Sequence, residues 1–381
     1  MEETVDMDIA DTVSPNSYQG KRFSLHSSIK TNFGNDYVFQ IAFKDDLSTM
    51  AVSLSTNEVK LYSPSSGQYL GEFKGHCGVI HEIGFSIPSM PYLLNSCSSD
   101  GTIRFWDTRT SKLVSCFNAG SPNEIFSFSF GGSAENILAA GSKSQILFWD
   151  WRSNKQLAKL EESHVDDVTE VQFIPSHPNK LLSGSVDGLM CIFNIVGDIN
   201  DEENLESVMN VGTSVGKVGF FGENHEKLWC LTLIESLSIW NWNNSTIEAD
   251  FPDARQRASK SWIMDPVDYF VDCYSPGNDG KLWVVGGTNC GAMGYFPVNF
   301  EGEICHPEAI LVGGHSGVVR SAVAMPRSGL GNGLFAWSGG EDGRLCCWSS
   351  NDSLATKSAW ISTSLMMKSS RNSRKSRHQP Y

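Results

Sequence analysis

The sequence lacks the features that mark several large classes of protein. No apolar run approaches the roughly 18 residues that a membrane-spanning helix needs, so we expect no membrane segment. The chain opens on Met1-Glu2-Glu3, where a secretory leader would place basic residues and then an apolar run. Its ten cysteines include no C-x-x-C pair, which argues against a zinc site of the usual spacing. We therefore expect a protein of the cytoplasm and nucleus, with no resident metal ion and no other cofactor.

Basic residues are also scarce. The chain has 43 acidic and 29 basic residues, and its formal net charge is −14. A general nucleic-acid binder needs a basic face that displaces counterions from phosphates, and this balance argues against one. The exception is the segment from Lys368 to Arg377, which has five basic residues and no acidic one. Three interpretations stay open for it: a nuclear import signal, an arm that touches RNA, or a solubilising tail.

The usual catalytic signatures are missing as well. The sequence has no Walker loop and no H-E-x-x-H motif, and the glycine-rich run from Gly329 to Gly333 is not followed by a lysine. Gly314-His315-Ser316-Gly317 stops one residue short of a nucleophile elbow. We therefore predict no catalytic residue and a chain that is not an enzyme.

What the sequence does contain is a repeated strand-and-turn pattern. Around Asp100-Gly101, a two-residue hairpin signal, run two β-forming segments, Leu93 to Ser98 and Ile103 to Trp106. An aromatic residue that ends such a segment recurs at intervals of roughly 40 to 60 residues, which is the period of a repeat architecture. These aromatic positions are Tyr62, Trp106, Trp149, Phe193, Trp240, Phe296 and Trp348.

The second unit resembles a WD repeat, one blade of a β-propeller, because Gly75-His76 precedes Trp106-Asp107 and four strand-like runs make up the unit. The resemblance is strong in the second, fourth and seventh units and weak in the fifth and sixth. The resemblance implies an all-β fold: a single seven-bladed WD-repeat β-propeller with short disordered tails. We expect an acidic tail over 1–20, the propeller over 21–360 and a basic tail over 361–381. The blades are expected near 37–74, 77–118, 123–160, 165–196, 211–249, 267–300 and 318–351. A strand near 22–31 is expected to close the ring, so that no sheet edge is left open.

Three units share a constellation of polar residues around the aromatic position. In each unit a serine lies four residues before an aspartate, with a histidine further upstream. The sets are His76, Ser96, Asp100 and Trp106; His164, Ser183 and Asp187, with Phe193 at the Trp position; and His315, Ser338, Asp342 and Trp348. In WD repeats these residues form a hydrogen-bonded chain from Trp to Ser to His to Asp, which the resemblance implies here. Ser, His and Asp alone also suggest a hydrolase triad, but three copies at equal offsets favour a structural role.

A shorter motif, W-D-x-R, occurs in two consecutive units. In some WD-repeat proteins a box that ends this way marks substrate receptors of cullin-RING ubiquitin ligases, so the resemblance implies docking on the ligase adaptor. The alternative is a local ion pair of little energetic value. The residues expected to meet a partner are Asp107, Arg109, Asp150 and Arg152. They should lie on the propeller face opposite His76 and Asp100.

At finer resolution, Ser163–Val171 and Ser183–Leu189 resemble the family of WD repeat-containing protein 89, and in particular its plant GIGANTUS-type members. The resemblance implies an intracellular, non-enzymatic scaffold that binds other proteins and acts in growth through ribosome assembly or function. Two classes of partner stay open, ribosome-assembly factors and a cullin-RING ligase adaptor. The protein is expected to be a monomer within a larger complex in the cytoplasm and nucleus, including the nucleolus.

One acidic segment interrupts the pattern after the fourth unit. Five carboxylates and no basic residue lie between Asp198 and Glu206. Such a segment can attract Ca²⁺ or a basic partner, but its spacing lacks the regular alternation of a calcium-binding loop. A solvated loop is the other interpretation.

Overall fold

Seven blades of β-strands form a closed ring in the computed structural model, which describes residues 21–31, 36–85, 89–120, 123–262, 264–275, 280–324 and 334–350. Five blades are separate four-stranded sheets, and the other two share one nine-stranded sheet. The predicted all-β propeller is confirmed. The predicted tails over 1–20 and 361–381, the Gly329–Gly333 loop and the basic segment lie outside the described residues. Among the described residues no helix has the length and apolar character needed to cross a membrane.

The strands are numbered β1 to β29 along the chain, and each blade runs from an inner to an outer strand. Blade 1 contains β2 Val38–Phe43, β3 Met50–Leu54, β4 Glu58–Tyr62 and β5 Tyr69–Lys74. Blade 2 contains β6 Ile80–Phe85, β7 Leu93–Ser98, β8 Thr102–Asp107 and β9 Lys112–Asn118. Blade 3 contains β10 Ile125–Gly131, β11 Ile137–Ser142, β12 Gln145–Asp150 and β13 Lys155–Leu160. Blade 4 contains β14 Val168–Ile174, β15 His177–Ser185, β16 Leu189–Asn194 and β17 Leu205–Asn210.

The remaining blades follow the same order. Blade 5 contains β18 Val215–Phe221, β19 Lys227–Thr232, β20 Leu237–Asn241 and β21 Thr246–Phe251. Blade 6 contains β22 Tyr269–Tyr274, β23 Trp283–Gly287, β24 Met293–Asn299, the short β25 Glu303–Ile304 and β26 Ala309–Leu311. Blade 7 contains β27 Val319–Ala324, β28 Leu334–Gly340, β29 Arg344–Ser350 and, as its outer strand, β1 Lys21–Lys30.

The middle strands of each blade are buried on both faces because every blade packs between two neighbours. All five residues of β3 are buried, and the apolar core is divided into seven clusters, one for each pair of adjacent blades. The cluster that joins Met50 and Tyr62 to Trp337 belongs to blades 1 and 7, so the ring is closed by packing. Close packing also fixes a glycine: a Cβ on Gly141 would lie 2.4 Å from the carbonyl oxygen of Val168 in the next blade.

The N-terminal strand joins the ring in two ways. Phe23 to Lys30 pairs antiparallel with β29 of blade 7, and Lys21 to Phe23 pairs parallel with β26 of blade 6. Blades 6 and 7 therefore share one continuous nine-stranded sheet. Backbone groups that would be an open edge are paired along this seam.

Several element boundaries differ from those expected. The outer strand of blade 4, β17, lies beyond residue 196 because the intervening chain forms a short helix, α1 Asp201–Asn204, before it returns to the sheet. In blade 6 the outer strand β26 lies beyond residue 300 and contains only three residues. The polar insertion after blade 5 forms a second helix, α2 Ala254–Lys260, which buries Ala254 and Ala258 against the blade 5–6 core.

Candidate interaction surfaces

The polar constellation of blade 2 lies at one face of the propeller, called here the upper face, where β7 turns into β8. Trp106 donates its indole N–H to Ser96 Oγ at 2.9 Å. Ser96 Oγ lies 2.7 Å from His76 Nε2, and His76 Nδ1 lies 2.9 Å from Asp100 Oδ2. The turn is fixed by Gly101, which has a φ of 77°. The four side chains thus form one continuous chain of hydrogen bonds.

The carboxylate of Asp100 determines which atoms carry the protons in this series of hydrogen bonds. The Asp100 carboxylate can only accept, so His76 donates from Nδ1, which leaves Nε2 of the neutral ring to accept the Ser96 O–H. Burial lowers the pKa of His76 and keeps the ring neutral. Burial alone would raise the pKa of Asp100, but hydrogen bonds from Thr102, the Cys77 N–H and His76 together lower it. Every member of the network is satisfied, which is the condition under which a buried polar network stabilises a fold.

Blades 4 and 7 repeat this arrangement. His164 lies 2.6 Å from Ser183 Oγ and 3.0 Å from Asp187. Phe193 occupies the aromatic position in blade 4 and has no N–H to donate. In blade 7 the equivalent distances are 2.8 Å from His315 to Ser338, 3.0 Å from His315 to Asp342 and 2.7 Å from Trp348 to Ser338. Burial lowers the pKa of His164 as it does that of His76.

The distances within each set match those of a serine hydrolase triad, but the accessibility does not. Ser96, Ser183 and Ser338 are completely buried. A nucleophile must reach a substrate, and these hydroxyls are enclosed between blades. The Ser–His–Asp sets therefore stabilise the blades, and their buried serines are not placed to react with a substrate.

In blade 3 the corresponding turn on the upper face is stabilised by different contacts. Lys143 occupies the turn position where an aspartate is found in blade 2, and its Nζ lies 3.2 Å from a Glu124 carboxylate oxygen. Ser142 donates its hydroxyl to the backbone carbonyl of Glu124 at 2.6 Å. An ion pair and one side-chain hydrogen bond thus replace the four-residue chain.

Both W-D-x-R loops lie on the opposite face, called here the lower face, but their arginine side chains form different contacts. Arg109 forms a two-pronged contact with Asp107, at 2.7 Å from Nη2 to Oδ2 and 3.1 Å from Nε to Oδ1. The guanidinium also lies 4.4 Å from the ring centre of Tyr92. The Arg109 side chain lowers the pKa of Asp107 to about 2. Arg109 is therefore engaged within its own loop.

Arg152 is not engaged in this way. Its backbone N–H donates to Asp150 Oδ1 at 3.0 Å, but no described carboxylate forms an ion pair with its guanidinium, which lies 5.3 Å from the Trp151 ring centre. Trp151 is itself anchored, because its indole N–H donates to the Glu135 carbonyl at 2.9 Å. The loop thus presents a positioned guanidinium with free donors.

A ring of polar side chains, which none of the sequence motifs above identifies, lines the upper part of the central channel. Each inner strand has a one-residue register shift, and the residue after the shift faces a channel of about 810 Å³. These residues are Gln40, Glu82, Ser127, Glu170, Lys217, Asp272 and Ser321. A recurring sequence signal marks them: a polar residue between aliphatic residues, as in Val168-Thr169-Glu170-Val171 and Val215-Gly216-Lys217-Val218.

Charges in this ring are unbalanced. Lys217 Nζ lies 3.3 Å from Asp272. Glu82 accepts a hydrogen bond from the Phe128 N–H at 2.8 Å, and burial raises the pKa of Glu82 to about 7. Burial and the Glu82 carboxylate raise the pKa of Glu170 well above its usual range. Two carboxyls thus face the channel without a paired cation among the described residues.

The acidic segment after blade 4 is partly ordered by its own contacts. Asn200 accepts a hydrogen bond from the Glu203 N–H and so caps α1. Asp201 accepts hydrogen bonds from the Glu161 N–H and the Ser163 hydroxyl. No group of three or more described acidic, histidine or cysteine side chains has the arrangement of a metal site. The segment packs along the rim between blades 3 and 4.

Comparisons with known proteins agree with this architecture. The family described as "WD domain, G-beta repeat" matches residues 67–107 and 154–194. WD repeat-containing protein GTS1 of Arabidopsis thaliana is 59% identical over 367 residues, which cover 95% of this chain and 93% of that protein. A WD repeat-containing protein 89 homolog of Dictyostelium discoideum is 30% identical over 271 residues, which cover 70% of this chain and 72% of the relative. Both matches extend over most of the propeller.

Proposed function

Because this chain belongs to the family of WD-repeat proteins, which act as protein-interaction scaffolds, we propose that it is a non-enzymatic scaffold in growth-related ribosome assembly or function. The observation that carries the scaffold role is the division between a rigid ring and displayed loops. Polar chains inside blades 2, 4 and 7 are satisfied and enclosed, while the connecting loops on both faces present exposed side chains. Loops on a rigid frame are the usual place for binding.

The ribosome part of the proposal comes from the resemblance of Ser163–Val171 and Ser183–Leu189 to the plant members of the family. We expect a monomer within a larger complex in the cytoplasm, nucleus and nucleolus. RNA contact is expected only from the basic segment from Lys368 to Arg377, since the chain as a whole carries a net charge of −14.

Affinity purification of the full chain, followed by mass spectrometry, tests this function. Ribosome-assembly factors that co-purify stably, and that stay bound when Arg109 and Arg152 are both changed to alanine, are the expected result. A partner set without any ribosome-related protein contradicts the growth-related part. Turnover of a small substrate by the purified chain contradicts the non-enzymatic part.

A second candidate function is substrate reception for a cullin-RING ubiquitin ligase, and the Arg152 loop favours it. A guanidinium with free donors can form a two-pronged contact with a carboxylate of an adaptor, whereas that of Arg109 is engaged with Asp107. Arg152→Ala is therefore expected to release the adaptor from the purified complex. Arg109→Ala is the matched control in the same motif and is expected to retain most of it. Retention of the adaptor by both variants rules out docking through this motif.

A further inference from the structure

Three of the most exposed large apolar side chains of the described residues lie in upper-face loops of the adjacent blades 4 and 5. Val165 is 87% exposed, Ile234 is 65% exposed and Leu233 is 60% exposed. Val165 is in the loop that leads into blade 4, and Leu233 and Ile234 form the turn between β19 and β20 of blade 5. Single exposed apolar residues are common on protein surfaces, but a contiguous group marks an interaction site.

Hydrogen bonds join these loops into one surface. The Val165 N–H donates to Asp187 at 3.0 Å, which ties the first loop to the β15–β16 turn. Ser214 donates its hydroxyl to the Val186 carbonyl at 3.0 Å, and its own carbonyl accepts the Leu233 N–H at 3.0 Å. The surface formed by Val165, Val186, Leu233 and Ile234 is called the blade 4–5 patch.

Acidic residues follow the apolar residues in both loops of the patch. That of blade 5, Glu235, is half-buried and accepts the Phe270 N–H at 2.6 Å, so the exposed negative charge lies mainly beside Val165. Asp166 and Asp167 directly follow Val165, and Glu235 directly follows Ile234, so both loops have an apolar residue and then an acidic one. Burial and the neighbouring Asp166 carboxylate raise the pKa of Asp167, as expected where negative charges accumulate.

The adjoining mouth of the channel adds the carboxyl of Glu170, whose pKa is raised by burial and by the Glu82 carboxylate, so that a cation placed beside it would favour its ionised form. Glu170 lies two residues beyond Val168 at the upper end of β14, and no described residue donates a hydrogen bond to it. The charge of Lys143 reaches Asp167, but Lys143 is already paired with Glu124 at 3.2 Å. The charge of Lys217 reaches Glu170, but Lys217 is already paired with Asp272 at 3.3 Å. Arg255, whose charge reaches Glu235, donates to the Asp268 carbonyl. The surface beside Val165 therefore has carboxylates without a free lysine partner and apolar area to cover.

We propose that the blade 4–5 patch docks an extended segment of a partner protein that carries aliphatic side chains next to a lysine or arginine. The aliphatic side chains cover Val165, Leu233 and Ile234, and the cation points toward Glu170 at the mouth of the channel. The acidic rim steers such a segment and disfavours an acidic one. This inference rests on the proposed scaffold function and assigns one of its binding surfaces.

A displayed library of random peptides, selected against the immobilised full chain, tests the proposal. Enriched peptides are expected to contain lysine or arginine flanked by aliphatic residues. Synthetic versions of these peptides are expected to bind at least tenfold more weakly to the double variant Leu233→Ser, Ile234→Ser than to the wild type. Ile247→Ser is the matched control, since Ile247 is an exposed aliphatic residue on the outer strand of the same blade, and it is expected to leave the Kd unchanged.

The contact with Glu170 is tested by a double-mutant cycle. Replacing the basic residue of the peptide by glutamine is expected to weaken binding to the wild type, and to have a much smaller effect on binding to Glu170→Gln. Full additivity of the two changes overturns the contact. Acidic enriched peptides, equal binding to the patch variant, or no enrichment overturn the docking surface. If the patch variant still co-purifies the cellular partners of the wild type, the scaffold function stands and only this surface is wrong.

Discussion

The guanidinium of Arg109 stacks at 4.4 Å on the ring of Tyr92, a residue from the loop between the first two strands of the same blade. Arg152 occupies the same place in blade 3, but there the ring beneath it is Trp151, its own neighbour in the chain. The same W-D-x-R motif therefore gives two different arrangements. Arg109 contacts an aspartate and a tyrosine, whereas the guanidinium donors of Arg152 stay free. This difference is the reason why the Arg152 loop, and not the Arg109 loop, is proposed to contact an acidic partner.

Ser96→Ala is expected to destabilise the protein more than Trp106→Phe. The alanine leaves both the Trp106 N–H and His76 Nε2 without a partner, at about 1–3 kcal/mol for each buried unsatisfied group. The phenylalanine removes the donor together with part of the buried ring, so no indole N–H is left unsatisfied, and blade 4 already accommodates Phe193 at this position. Denaturant unfolding measures both effects. The exposed turn residue Ser66, changed to alanine, serves as the control, and an Ser96→Ala variant as stable as this control contradicts the network.

The buried histidines are expected to make the protein less stable in mild acid. Burial lowers the pKa of His76 and His164 in the folded state, so the unfolded chain takes up protons first as the pH falls. Their contribution to stability is complete above the ordinary histidine pKa of about 6.5 and is lost below it. The double variant His76→Gln, His164→Gln should therefore be less stable at pH 7.5 and lose less further stability between pH 7 and 5. Equal slopes for variant and wild type would contradict this.

Glu82→Gln is expected to act in the opposite direction. Burial raises the pKa of Glu82 from 4.5 to about 7 in the folded protein, so the unfolded chain ionises first as the pH rises. The resulting penalty on folding grows between these two pKa values, is complete above about pH 7 and is absent below the ordinary value. Glutamine keeps an acceptor for the Phe128 N–H and is never charged. The variant should unfold at a higher temperature than wild type at pH 8, and the difference should shrink toward pH 4.5. Glu202→Gln, on the exposed acidic segment, is the control and should show no such trend.

Deletion of residues 1–24 is expected to open the seam between blades 6 and 7. The deletion removes the parallel pairing of Lys21–Phe23 with β26 and the first pairs with β29, and it exposes unpaired backbone groups. A lower Tm and concentration-dependent light scattering on heating are the expected results. Deletion of residues 1–20 is the control because it removes none of these pairs. Equal behaviour of the two deletions would mean that the seam does not hold the ring.

The sequence was sufficient to predict the fold, because the blades depend on local signals that repeat. Asp100-Gly101 marks a turn, and Trp106 and Trp348 mark the ends of strands whose neighbours are apolar. The outer strand of blade 6 escaped prediction because Ala309–Leu311 is too short to show a period of two. The ring of channel residues was missed because Glu82 and Glu170 look like ordinary polar positions in half-exposed strands. Only the closed ring turns them toward each other.

The contacts that each arginine forms could not be predicted from the sequence either. Tyr92 is seventeen residues from Arg109, and nothing in W-D-x-R specifies that their loops meet. The clustering of Val165 with Leu233 and Ile234 likewise depends on the order of blades around the ring. In a repeat protein the repeated sequence determines the fold, whereas the binding surfaces depend on contacts between residues that are distant in the sequence.

The pairing of Phe23 with Ser350 has a consequence for how the protein is made. Among the described strands of the propeller, β1 is synthesised before all the others but belongs to the last blade, so it has no partner until nearly all of the propeller has been synthesised. Blades 1 to 5 are each complete from consecutive strands and can form in order, but the ring closes only when the two ends of a very long loop meet. We therefore expect closure of the ring to be a late step of folding, during which the strand from Lys21 to Lys30 has unpaired backbone groups.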